Sequence, residues 1–317
     1  MMKGNAILNY AKKQAIVVVL LFEIIILSIL TPNFLTFSNL MTVIRQISYI
    51  GIAGVGMTIV LLAGGFDLSI GMQAAFVNVA AAYMMKFMGI HPVIACLICM
   101  VFAILFGYLN GICITTFRIP PLIATLATQY VLKGLANIVS QGQAIFAFNN
   151  DFKIIGQGYV FQFIPIPIII LVLMLILGWF ILSKTYLGRY FFAIGGNETA
   201  AKLSGIKTDR MKRLSYVLCA LFTAIAALIM LSRLNSGTAM TGEGLEFNAI
   251  AAAVLGGVSI SGGRAKIFNM FIGVLIIGIL TNGFVLLNIG EYPQLIVKGL
   301  VLLVAVGFDM SQTKKQQ

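Results

Sequence analysis

Ten apolar segments follow one another along this chain of 317 residues, separated by short breaks rich in glycine and proline. They lie at 15–30, 41–62, 71–88, 92–117, 121–140, 164–182, 214–232, 248–261, 267–287 and 293–309. Only 9% of the residues are charged and 60% are hydrophobic, which leaves too few charged groups to cover a soluble globule. Hydrocarbon offers the backbone no partners, so such segments cross a membrane as helices. The sequence predicts an all-α polytopic membrane protein of about ten transmembrane helices, forming a single domain over 1–317.

The basic residues predict the orientation of these helices. The chain has 21 Lys and Arg against 9 Asp and Glu. If the N-terminus is inside and ten helices alternate, most of the 21 fall in inside segments, among them Lys3, Lys12, Lys184, Arg213 and Lys315. The positive-inside rule then favours N-in and C-in. The positive charge is accordingly assigned to cytoplasmic loops of a plasma-membrane protein rather than to nucleic-acid binding.

Two glycine-rich breaks resemble each other. Residues 61–71 read LLAGGFDLSIG and residues 253–263 read AVLGGVSISGG. Paired glycine-interrupted segments in the two halves of a transporter indicate broken helices that line a pathway, so we predict broken or re-entrant segments near 61–71 and 248–263. Two ordinary turns are the alternative, and the carboxylate in the first break is expected to cap the following helix. The predicted gate or turn residues are Gly64, Gly65, Asp67, Gly256 and Gly257.

The longest predicted inside loop, 183–213, contains a short helix. Asn197 suits the N-cap position, and Glu198 suits the first turn and an i,i+4 pair with Lys202. Gly205 suits the left-handed position after the helix. A helix of about two turns is marginal alone in water, so it is expected to dock into a groove on a partner. A solvated connector is the alternative.

Four blocks of this sequence resemble one family. GRYFFAIGGNETAAKLSGI is similar to the cytoplasmic coupling segment in permease subunits of ribose/xylose/galactose-type ABC importers. AGGFDLSIG, RLNSGTAMTGEGLEFNAIAAAVLGGVSISGG and YPQLIVKGLVLLVAV resemble three further blocks of these permeases. The matches extend from about residue 40 to 309. One departure is Asn248, where many relatives carry Asp.

The resemblance implies a division of labour. Two permease copies, identical or not, form the pore, a separate cytoplasmic ATPase binds ATP and Mg²⁺, and an extracytoplasmic binding protein delivers a monosaccharide. This chain would be a prokaryotic transporter subunit without catalytic residues or a cofactor of its own, and it contains no GxxxxGK[ST] phosphate loop. The residues predicted to couple to the ATPase are Gly196, Asn197, Glu198, Ala201, Leu203 and Gly205.

Polar side chains inside the apolar segments are costly and therefore suggest function. A path for a neutral sugar needs amides and hydroxyls that bind weakly. The alternative role is hydrogen bonding between helices. The candidates for the translocation path are Gln46, Asn78, Gln129, Asn137 and Asn282.

Three other features complete the prediction. With His91 as the only histidine, Cys96 and Cys99 lack the further ligands of a metal site. Gly107 and Gly111 form a GxxxG pair that permits close helix contact. The loops at 141–163 and 234–247 are expected outside, where they could meet the binding protein. Their charged residues are Asp151, Lys153, Glu243 and Glu246.

Other classes of function remain open alternatives at this point. An ion-coupled secondary transporter would need an acidic coupling site, for which Glu23 and Asp67 are the candidates. A membrane enzyme would usually show clustered acids, histidine or a nucleophile motif, whereas this sequence has one histidine and nine scattered acidic residues. A permease for a sugar-like quorum signal would share the same blocks, and the sequence does not identify the sugar.

Overall fold

The structure is a computed structural model that describes residues 15–146, 148 and 150–314. Its helices are α1 (Ala15–Leu30), α2 (Phe37–Leu62), α3 (Ile70–Phe87), α4 (Pro92–Thr115), α5 (Pro121–Ser140), α6 (Ile154–Gln157), α7 (Ile166–Lys184), α8 (Tyr186–Gly196), α9 (Glu198–Leu203), α10 (Thr208–Leu234), α11 (Leu245–Leu255), α12 (Ile267–Leu286) and α13 (Glu291–Lys314). The four strands are β1 (Ile145–Phe146), β2 (Tyr159–Val160), β3 (Ile164–Pro165) and β4 (Ser236–Gly237). Lys3, Lys12 and Lys315, used above for the orientation, lie outside the described residues.

Each of the ten apolar segments contains a helix, although the helix in 248–261 ends at Leu255. Within the described residues, seven helices are long and apolar enough to cross a membrane: α2, α4, α5, α7, α10, α12 and α13. Helices α1 and α11 are apolar but shorter. The all-α polytopic fold is confirmed, whereas the count of ten crossings and the N-in, C-in orientation stay predictions.

Helices α2 and α10 form the centre of the bundle, and most residues of both are buried. Helix α4 packs along α10 at two glycines. A β-carbon at Gly107 would lie 2.6 Å from the Tyr216 carbonyl oxygen, and one at Gly111 would lie 2.8 Å from the Arg213 Cα. The GxxxG pair thus serves close contact within the chain, between α4 and α10.

The chain between α10 and α11 runs along α3 in mostly irregular form, with Met240 exposed. Strand β4 pairs with β1, and Gly237 lies against Ala82 of α3. Further along, Gly242 lies against the carbonyl oxygen of Gly71, at the start of α3. Helix α11 then follows with only 11 residues, about 16 Å, which is too short to cross a hydrocarbon core of about 30 Å. The helix is thus interrupted where the sequence predicts it near 248–263, and re-entrance stays a prediction.

The first glycine break has a different form. Helix α2 ends at Leu62 and α3 begins at Ile70, and both helices are long. Helix α3 packs chiefly against α5, α10 and α4 rather than against α2. The segment near 61–71 therefore connects two separate helices, both of which pack against α10, so the predicted interruption of one helix is not seen here.

Candidate functional site

The segment predicted as a loop with one helix contains two helices. Helix α8 occupies the first half, α9 follows, and α10 begins at Thr208, earlier than its apolar segment suggested. Gly188, Phe191 and Ile194 form the buried face of α8. Their spacing of three residues was a readable signal for an amphipathic helix. The loop prediction for 183–213 is therefore wrong at α8 and right at α9.

Helix α9 has the ends that its sequence predicts. The Asn197 side-chain oxygen accepts a hydrogen bond from the Ala200 backbone N–H at 2.9 Å. At the other end, Gly205 has φ +86°, and the N–H of Ile206 bonds to the carbonyl oxygen of Ala201. One prediction is wrong: Glu198 pairs with Lys212 of α10 rather than with Lys202. This ion pair fixes α9 to the first turns of α10.

The predicted coupling residues divide into exposed and buried ones. Leu203 is 85% exposed, and Gly196, Asn197 and Gly205 are exposed as well. Ala201 is only 4% exposed, so it packs against its own chain and cannot form a contact with a partner. Ala201 is therefore withdrawn as an ATPase contact. An exposed leucine at the tip of a short helix suits docking into an apolar groove.

Backbone contacts join the coupling segment to both glycine breaks. A β-carbon at Gly195 would overlap the carbonyl oxygen of Leu62 and the amide nitrogen of Gly263. A β-carbon at Gly262 would lie 2.9 Å from the Gly195 Cα and 3.2 Å from the Gly64 Cα. In addition, the Gly263 N–H donates to the Leu62 carbonyl oxygen at 3.1 Å. We call Gly64, Gly195, Gly262 and Gly263 the glycine junction.

The two breaks end their helices in the same way. Gly64 and Gly257 have φ +76° and +77°, a conformation that glycine adopts without strain. The N–H of Gly65 bonds to the Val60 carbonyl oxygen, and that of Val258 bonds to the Ala253 carbonyl oxygen, as in a Schellman motif. The equivalent of Gly64 is thus Gly257. Aligning 61–71 with 253–263 without gaps, as their sequences suggest, would pair Gly64 with Gly256, which is wrong by one residue.

The turn that follows α11 is also bonded to the C-terminal helix α13. Asp309 of α13 accepts hydrogen bonds from the Ser259 hydroxyl at 3.2 Å and from the Ile260 N–H at 3.0 Å. Its other carboxylate oxygen lies 3.5 Å from the Arg264 guanidinium. Sequence reasoning missed Asp309 because its partners lie about fifty residues away in the chain.

The turn between α2 and α3 is stabilised by a buried polar network. Asp67 is 1% exposed, and its Oδ1 accepts bonds from the Ser69 N–H and hydroxyl. The Asn110 amide donates to the Ser69 oxygen at 3.0 Å, and the Thr128 hydroxyl donates to the Asn110 oxygen at 2.5 Å. The prediction that Asp67 caps the following helix is wrong, because α3 begins at Ile70 with Ser69 at its N-cap position and no side-chain cap bond. Asp67 instead holds Ser69, and the network joins this turn to α4 and α5.

Asp67 gives a testable pH dependence. Burial raises the pKa of Asp67 from 3.8 to about 6, opposed by its hydrogen bonds from Ser69. A raised carboxyl pKa costs stability as pH rises from about 4 to 6, and the full cost remains above 6. We therefore expect Asp67→Asn to raise the melting temperature at pH 8 by roughly 2–5 °C more than at pH 4. Thermal unfolding in detergent at both pH values measures this, and an equal shift at both would contradict it.

The five predicted path residues do not form one cluster. Asn78 donates to the Ala227 carbonyl oxygen of α10, and Asn282 exchanges two hydrogen bonds with Asn39 at 3.0 and 2.8 Å. For these two, the structure shows bonding between elements, which was the alternative role. Gln46 and Gln129 are half-buried, and Asn137 is exposed and bonds to a carbonyl of its own helix.

The remaining candidates are the charged residues of the outer loops and the histidine and cysteines considered as metal ligands. Glu246 is 2% exposed at the start of α11, so the prediction that it meets a binding protein is wrong. Glu243 lies 3.6 Å from Lys133. The His91 ring accepts from the Val93 N–H at the start of α4. The four cysteines are free, and the described part of the chain has no group of three metal-ligating side chains.

Comparison with known proteins identifies the class. Residues 39–306 match the family described as "Branched-chain amino acid transport system / permease component". The chain belongs to this permease family. It is similar to the ribose import permease protein of Bacillus subtilis, with 44% identity over 92% of this chain and 90% of the relative. No solved structure matches it at a significant level.

Two further relatives of this permease support the same assignment. The ribose import permease protein of Escherichia coli is 37% identical over 96% of this chain and 94% of the relative. The L-arabinose transport system permease protein of the same organism is 39% identical over 92% and 88%. The resemblance to sugar-type ABC permeases is thus confirmed. The chain is a multi-pass protein of the cytoplasmic membrane and a transporter component, not an enzyme.

Proposed function

We propose that this chain is the permease subunit of an ATP-driven importer for a pentose or a similar monosaccharide, with ribose the first candidate. Three relatives named for ribose or arabinose import support a sugar. The family description names branched-chain amino acids instead. Full-length relatives with up to 44% identity carry more weight than the description of a broad family.

The glycine junction is the observation that carries the coupling part of this proposal. It brings the end of α8, next to the exposed helix α9, into backbone contact with the turns that follow α2 and α11. A displacement of α9 by a partner would therefore reach both turns without an intervening side chain. Interfaces of this kind pass rigid-body shifts between elements.

The remaining parts of the proposal follow the division of labour in such importers. A cytoplasmic ATPase binds ATP and Mg²⁺ and docks on Leu203, Asn197 and the exposed edge of Glu198. An extracytoplasmic binding protein delivers the sugar, and a second permease copy completes the pore. Ten crossings with both termini inside place α9 in the cytoplasm. Gln46, Gln129 and Asn137 are the remaining path candidates.

Reconstitution tests this proposal directly. The chain is purified with the ATPase and the binding protein of its operon and placed in liposomes. We expect uptake of labelled ribose that needs both partners and ATP, and that is lost when the ATPase carries an inactive phosphate loop. Arabinose, leucine and a sugar-like quorum signal are the competing substrates. Uptake driven by a proton or sodium gradient without ATP would instead support a secondary transporter.

A further inference from the structure

Two arginines lie at the end of the bundle opposite the glycine junction. Arg45 is on α2, about 25 Å along the helix from Leu62, and Arg233 is on α10, about 30 Å from Lys212. Both side chains are half-exposed. In the proposed orientation this end faces the extracytoplasmic side.

A tyrosine ring lies against each guanidinium group, and Gln157 bonds to the side chain of one arginine and to the backbone of the other. The Arg45 guanidinium lies 4.7 Å from the Tyr159 ring centre and donates to the Gln157 carbonyl oxygen at 3.0 Å. The Arg233 guanidinium lies 5.7 Å from the Tyr49 ring centre. The Gln157 side-chain amide donates to the Arg233 carbonyl oxygen at 3.0 Å, so one residue contacts both arginines. We call Arg45, Tyr49, Gln157, Tyr159 and Arg233 the outer arginine patch.

No carboxylate of the described chain neutralises this patch. The ion pairs among the described residues lie elsewhere in the chain. They join Arg118 to Asp209, Lys133 to Glu243, Lys212 to Glu198 and Arg264 to Asp309. Neither Arg45 nor Arg233 takes part in one. Two positive charges that form no ion pair with a carboxylate of the described residues make the patch complementary to an acidic surface.

The β2–β3 hairpin extends the patch with exposed aromatic side chains. Phe161 is 79% exposed and Phe163 is 57% exposed. At its tip, Phe161 and Gln162 have φ +51° and +65°, values that side chains other than glycine, Asn and Asp seldom adopt. Arginine and aromatic residues are also the side chains enriched at the energetic centres of protein interfaces.

We propose that the outer arginine patch and the β2–β3 hairpin dock an acidic surface of the extracytoplasmic binding protein. The proposal rests on the proposed function, since it names the surface that this partner uses. A lipid headgroup is the competing occupant, because arginine and aromatic residues also occur at membrane interfaces. The stacking of both guanidinium groups on tyrosine rings, and the bond from Arg45 to the Gln157 carbonyl oxygen, favour a protein, since they order these groups before binding.

The test measures how the binding protein stimulates ATP hydrolysis by the permease–ATPase complex in nanodiscs. We expect Arg45→Gln with Arg233→Gln to raise the binding-protein concentration at half-maximal stimulation at least about tenfold. The maximal rate should stay unchanged, and the dependence on salt should become weaker. Arg45→Lys with Arg233→Lys keeps the charge and should keep the salt dependence. Lys86→Gln removes an unpaired outer charge beside Phe87 and should have little effect.

The outcomes separate this inference from the proposed function. One outcome is that the binding protein stimulates the unchanged complex and the glutamine variants at the same half-maximal concentration. In that case the patch is not the docking surface. If the effect of the glutamine substitutions on ATP hydrolysis depends on the fraction of anionic lipid in the nanodisc rather than on the binding-protein concentration, the occupant is lipid. That result overturns the proposal. If the binding protein never stimulates the unchanged complex, the proposed function fails, and this inference fails with it.

Discussion

Gly195→Ala is expected to lower the initial rate of sugar uptake at least about tenfold, with the amount of protein in the membrane little changed. The added methyl group would overlap the Leu62 carbonyl oxygen and the Gly263 amide nitrogen. Because both neighbours are backbone atoms, neither can move away by changing rotamer. Overpacking of this kind costs about 1–3 kcal/mol, and about 1.4 kcal/mol corresponds to a factor of ten.

Uptake by cells, normalised to the membrane level of the chain, measures the effect of Gly195→Ala. Gly299→Ala is the matched control, because a β-carbon at Gly299 meets no atom within 4 Å and the residue lies within helix α13. Alanine favours a helix interior by about 1 kcal/mol over glycine, so this variant should keep its uptake. Normal uptake by Gly195→Ala would show that the glycine junction does not transmit coupling.

Lys212→Glu is expected to uncouple ATP hydrolysis from transport. The change places a carboxylate against Glu198 in place of their ion pair. Lys212 also lines a small cavity with Gly64, Gly65 and Tyr216, so the repulsion acts beside the first turn. Because the pair is partly exposed, its energy is modest. We expect uptake to fall about three- to tenfold while hydrolysis falls less, which raises the number of ATP molecules used per sugar.

The charge swap makes this prediction specific. Glu198→Lys combined with Lys212→Glu restores opposite charges, and a double-mutant cycle isolates their interaction. We expect the swap to recover at least about half of the lost uptake. Lys202→Glu makes the same charge change on α9 and tests the pair that the sequence suggested. A larger effect from Lys202→Glu than from Lys212→Glu would contradict the contact seen in the structure.

Helix ends could be predicted because their signals are local. Asn197 and Gly205 act on backbone groups within three or four residues, and the structure has α9 where these residues place it. The apolar segments are equally local, since each must satisfy its own backbone in hydrocarbon. The all-α fold follows from such signals alone.

The contacts that form the candidate site could not be predicted in the same way. Glu198 has a favourable neighbour in Lys202, yet Lys212 is its partner because α10 returns beside α9. Gly195 is the last but one residue of α8, and its close approach to Leu62 and Gly263 depends on turns that are distant in the sequence. Asn78 and Asn282 point inward, as any costly polar group in a membrane does. Only the positions of the facing helices show that they bond to other elements rather than line a path.

The glycine junction also limits the order in which the two turns can move during transport. Side chains that separate two moving elements can change rotamer and absorb part of a displacement. Here the Gly263 N–H bonds directly to the Leu62 carbonyl oxygen, with Gly195 pressed against both. For one turn to shift before the other, that bond would have to break. We therefore expect the two turns to move together, so that a trapped intermediate with one turn open and the other closed does not accumulate during the cycle.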